Sequence, residues 1–66
     1  MADFDRPSFA EFTEVSLTHL VKVHGVAMPA GARGVVMAAY ADGLAYEVEF
    51  TDPHVVLTIE GGDLQA

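Results

Sequence analysis

Three histidines, His19, His24 and His54, stand among ten carboxylates, and imidazole with carboxylate is a donor set suited to zinc and other divalent ions. No His-x-x-x-His or His-x-His pair occurs, however, and His24 and His54 fall where turns are expected, so a shared site would require two loops to meet. For nucleophilic chemistry there is no cysteine, and Ser8, Ser16, Thr13, Thr18, Thr51 and Thr58 lie in no nucleophile elbow or triad context. Gly31 and Gly34 have the spacing of a short glycine loop but no following Lys-Ser, so they read as a turn and a close strand approach rather than a phosphate cradle. Glu47 and Glu49 are a carboxylate pair two residues apart. On one strand they stand about 7 Å apart and point outward together. These residues therefore predict a non-enzymatic protein with no catalytic residue, no metal and no cofactor.

The element that must carry Glu47 and Glu49 is the clearest in the chain. Tyr46-Glu47-Val48-Glu49-Phe50 alternates strictly, placing Tyr46, Val48 and Phe50 toward a core and the two glutamates toward water. Ala41-Asp42-Gly43-Leu44 before it has the Asp-Gly signature of a tight hairpin. The preceding strand, Gly34 to Tyr40, is apolar on both faces. Thr51-Asp52-Pro53-His54 turns the chain into a strand from Val55 to Ile59, which Gly61-Gly62 ends. Toward the N-terminus, Ser16 to Val23 reads as the first strand and His24-Gly25 as its end, with Met28 to Gly34 a loop. Ser8 and Glu11 have capping-box spacing, which predicts a helical turn from Phe9 to Glu14 with Phe9 and Phe12 on one face. Leu64 should plug one end after a 3₁₀ turn or a very short final strand. Residues 1–13 thus read as an extension and 14–66 as an all-β domain whose short strands favour a closed or nearly closed sheet.

Composition narrows the partners. Sixty-six residues hold one domain, burying about 60% of the surface of the unfolded chain. Without cysteine, apolar packing must hold it, and 52% of residues are hydrophobic. A net charge of −7 argues against nucleic acid and against anionic membranes, since both draw on Lys and Arg. No apolar run approaches the roughly 20 residues of a membrane helix, and Met1 to Phe12 carries acids where a signal segment would be basic and then apolar. The expected location is cytoplasmic, and the expected partner a basic or neutral protein.

The run Met28-Pro29-Ala30-Gly31-Ala32-Arg33-Gly34-Val35-Val36, a hairpin and Tyr-Glu-Val-Glu-Phe resembles a family of small bacterial proteins of unknown function. That family's pattern is Leu-x-x-Gly-x-x-Gly-x-Val, a hairpin, Tyr-x-Val-Glu-Phe and a terminal leucine. The likeness covers Val15 to Leu64; Met28 replaces the leucine, and Thr51 to His54 replaces a longer hairpin. It implies a five-stranded SH3-like barrel and an immunity or antitoxin role beside a toxin or effector. It brings no catalytic residues.

In a barrel only alternate residues face inward, so Val35 to Tyr40 and Val55 to Leu57 leave an apolar row outside. The N-terminal segment, a second copy or a partner would cover it. Three readings follow. In the first the chain is a protein-binding module using Glu47, Glu49, Glu60, Asp63, Val35 and Met37. In the second it is a homo-oligomeric accessory domain. The third, a small enzyme or metal-binding protein, would use the histidines.

Overall fold

The computed structural model describes residues 8–66. Among these residues seven strands follow one another, β1 (Glu14–Leu17), β2 (Val21–Val23), β3 (Val26–Met28), β4 (Arg33–Tyr40), β5 (Ala45–Thr51), β6 (His54–Glu60) and β7 (Leu64–Gln65). Two 3₁₀ turns, Ala41–Gly43 and Gly61–Asp63, flank β5 and β6. All neighbours pair antiparallel, in one five-stranded sheet of order β6-β5-β4-β1-β7 and one hairpin of β2 with β3. The domain is all-β, as its strand patterns predict.

The barrel expected from the sequence is not closed. The sheet ends at β6 on one side and β7 on the other, and these edges do not pair. It is nonetheless strongly curled. Glu60 and Leu64 are joined by a chain that spans at most about 14 Å, whereas the edges of a flat five-stranded sheet lie about 19 Å apart. At one edge β7 is only two residues long and pairs with β1 alone, Ser16 with Gln65 and Leu17 with Leu64, so it builds no ladder toward β6. The far edge, β6, faces the β2–β3 hairpin across a groove instead.

Strand alternation decides which side chains enter the curl. Tyr46, Val48 and Phe50 are buried to 1% exposure or less and meet Val36, Leu57 and Ile59 from the flanking strands, with Val15, Leu17, Met28 and Leu64 completing the core. Each such side chain contributes about 1.5–3 kcal/mol by leaving water. The Asp-Gly signature holds: Asp42 (φ 58, ψ 37) and Gly43 (φ 90) have the two positive φ values of a type I′ turn between β4 and β5. Leu64 is buried after a 3₁₀ turn, in a strand of two residues.

Three expectations at the N-terminal side need correction. No helix runs from Phe9 to Glu14. A single turn, Thr13 N–H to Ala10 O at 3.1 Å, gives way to Phe12 at φ 70, and Glu14 already begins β1. The sheet takes the backbone groups a helix would need: Phe12 N–H donates to Val36 O at 2.6 Å and Val36 N–H to Thr13 O at 2.9 Å. One isolated turn cannot compete, because nucleating a helix is costly. Phe9 and Phe12 therefore diverge, Phe9 packing on the core and Phe12 standing 67% exposed. Next, the strand expected from Ser16 to Val23 is broken at Thr18 and His19 into β1 and β2. Finally, His24 and Gly25, both at positive φ, do not merely end a strand but turn β2 into β3, pairing Val23 with Val26.

Candidate partner-binding face

The outer face of the curled sheet is built by the residues that alternate with the core. Across the strands one row reads Glu14, Val35, Glu49, Val56, a second Ala38, Glu47, Thr58, and a third Tyr40, Ala45, Glu60. Acidic side chains thus stand between small and apolar ones. Val56 is 49% exposed and Tyr40 46%. Glu47, Glu49, Glu60 and Val35 are brought onto this one face.

Met37 and Asp63 are not. The register of β4 with β5 shifts between Val36 and Ala38, so Met37 falls at a bulge and Ala38 takes the outward position opposite Glu47. Val35, Met37 and Ala39 consequently form no single row: Ala39 lies opposite the buried Tyr46. A bulge inserts one residue and inverts the sidedness of all that follow. Asp63 lies in the second 3₁₀ turn, at the end of the face beyond Glu60, and meets His19 at 3.4 Å.

The glutamates have partners that their own strand does not supply. Tyr40 O–H donates to Glu47 Oε2 at 2.8 Å. That hydrogen bond, with the negative charge behind it and a lesser contribution from burial, raises the Tyr40 hydroxyl above its usual pKa of 10.0. His54 Nε2 lies 2.7 Å from Glu49 Oε2 and must donate, since an ionised carboxylate only accepts. Arg33 approaches Glu14 at 4.0 Å with both side chains exposed, a pair of little strength. Sequence reasoning missed all three pairings. All three are diagonal contacts between neighbouring strands, visible only once register is known, and the Tyr40 pair depends further on the bulge that returns Tyr40 to the outer face.

Leu20, Val21, Lys22 and Val23 face Thr58, Ile59, Glu60 and Asp63 across an open groove of about 390 Å³. Leu20, on its rim, is 65% exposed. The described part of the N-terminal segment covers neither groove nor outer row. It closes the inner side instead: Phe9 N–H donates to Tyr46 Oη at 3.2 Å, and the two rings meet edge to face at 5.3 Å.

Among the described residues no three His, Asp or Glu side chains lie close enough to hold a metal ion. Nor is any helix long and apolar enough to cross a membrane. Comparison with protein-family models, with curated proteins and with solved structures returns no match for this chain.

Proposed function

We propose that this chain is a non-enzymatic protein-binding module whose outer sheet face docks a basic or neutral protein. The observation that carries the reading is the face itself: Glu47, Glu49 and Glu60 alternate with Val35, Val56 and Tyr40, with Arg33 and His54 as its described basic side chains. Glu47 and Glu49 repel each other along β5, and their contacts with Tyr40 and His54 are exposed pairs of small strength, so the arrangement gives the isolated fold little. A basic partner turns the same charges to use, steering encounter while the apolar side chains are buried. An immunity or antitoxin protein that masks a basic surface of its toxin is one form of this function, and the resemblance noted at Met28 to Phe50 supports it.

The test uses Glu47→Lys with Glu49→Lys beside the native chain as bait for lysate of the native cell. The reading expects a protein retained by the native chain and lost by the variant, with an association rate that falls as salt rises. A variant that folds normally and retains the same protein, at the same rate and salt response, refutes it.

A further inference from the structure

Strand β6 is an edge that lacks the usual protection. It is seven residues long, has no proline or lysine within it and no bulge against β5, and finds no second strand neighbour among the described residues. Edge strands of this kind are templates for another strand. Beside its C-terminal half, where a covering element would stand, lies the open groove to β2, whose outer edge is also unpaired.

Resting on the function proposed above, we propose that β6 is the docking element itself, adding to the sheet an extended segment of the partner in which basic and apolar residues alternate. Sidedness sets that pattern. Val55, Leu57 and Ile59 point inward, so the incoming residues beside them would be apolar; His54, Val56, Thr58 and Glu60 point outward. An added strand lies about 5 Å from β6 and about 10 Å from β5. Between an outward residue on it and the acids of β5 stand only Val56, opposite Glu49, and Thr58, opposite Glu47. A lysine or arginine there lays its aliphatic stem over these short side chains and carries its charge toward Glu49 or Glu47, while Glu60 meets its neighbour directly. Main-chain hydrogen bonds then supply affinity and the charge pattern supplies choice.

Charge also selects against the other occupant. A second copy would offer its own β6, whose one basic group is His54, on a chain of net charge −7. Lys22, on the groove wall, is a described cation that opposes the proposed segment.

An octapeptide of alternating lysine and valine is the probe, with its fully N-methylated form and a glutamate–valine octapeptide as controls. Binding is followed by fluorescence anisotropy, and amide hydrogen exchange is read residue by residue. The expectation is that the lysine–valine peptide binds and slows exchange at the alternate amides of His54 to Glu60 that β5 leaves unpaired. N-methylation, which removes several hydrogen bonds, should weaken binding about tenfold or more. Lys22→Ala should strengthen it, and the glutamate peptide should not bind.

Equal binding of the N-methylated peptide, with β6 exchange unchanged but affinity lost in Glu47→Gln with Glu49→Gln, overturns strand addition while leaving the acidic face as the docking surface. No binding of the lysine–valine peptide overturns both. Protection of β6 that grows with protein concentration and no peptide overturns the proposal in favour of a second copy.

Discussion

Gly34 is buried on β4 opposite Phe50 of β5. A methyl group built on its Cα would stand 2.6 Å from Val48 Cγ1, 2.8 Å from the Glu49 carbonyl oxygen and 3.1 Å from Phe50 Cδ1, and the carbonyl cannot step aside without disturbing the ladder. Gly34→Ala is therefore expected to cost about 2 kcal/mol or more, as overpacking of a filled core does. Gly62, which has nothing within 4 Å, provides the control: Gly62→Ala should stay within about 0.5 kcal/mol. Urea unfolding of the two variants checks both values.

Tyr40 makes a second prediction at this scale. Its hydroxyl holds its proton above the usual 10.0 chiefly because Glu47 accepts it as a hydrogen bond. The folded state therefore keeps that proton to higher pH than the unfolded chain. The stabilisation it brings is complete below about pH 10 and is lost as pH rises through the folded value. Subtracting the ultraviolet titration of Tyr40→Phe from that of the native chain isolates Tyr40, whose midpoint should lie above 10 and fall back in Glu47→Gln. An unchanged midpoint in that variant would mean that the bond does not persist in solution.

Among the elements, β5 and its two turns were open to sequence reading because short-range chemistry settles them. Strict alternation fixes sidedness, Asp42-Gly43 fixes the turn, and Val48 and Glu49 land inside and outside as expected. Where an expectation rests on a local signal that pairing can override, the structure departs from it. Ser8 and Glu11 carry a genuine helix-start spacing, but Val36 competes for the same backbone and wins. The bulge at Met37 leaves no mark in an apolar run, since Val35, Met37 and Ala38 fit either face. The β2–β3 hairpin did have a signal, the pair His24-Gly25 between valines, yet it is weaker than Asp-Gly. The candidate face was thus half legible: its acids on β5 follow from alternation, while its Tyr40 and His54 contacts and the β6 edge needed the register.

The N-terminal segment allows a prediction of the same kind. Phe9 meets the Tyr46 ring edge to face and packs on the core, whereas Phe12 is exposed at positive φ. Edge-to-face pairs contribute about 0.5–1.5 kcal/mol beyond area burial. Phe9→Ala should cost about 2 kcal/mol, with that term included, and Phe12→Ala under about 1. Phe12→Gly should be close to neutral, because glycine adopts the left-handed region freely while losing more chain entropy. Thermal melts that rank the two alanine variants in the opposite order would contradict this docking.

For the whole molecule the governing quantity is charge. A chain with net charge −7 repels itself, and part of that repulsion arises on the sheet face that holds Glu14, Glu47, Glu49 and Glu60. Glu47 and Glu49 stand about 7 Å apart, inside the roughly 10 Å screening length of 0.1 M salt but outside the roughly 3 Å length of 1 M. Sodium chloride should therefore raise the urea midpoint of the native chain over this range. Replacing both glutamates by lysine adds four charges and takes −7 to about −3, so the same salt should raise that midpoint much less. The double variant also loses the Tyr40 and His54 contacts, but both are exposed, and exposed pairs contribute only about 0–1 kcal/mol. Its stability in low salt should consequently equal or exceed that of the native chain. Parallel salt dependence in the two proteins would place the repulsion elsewhere than on β5.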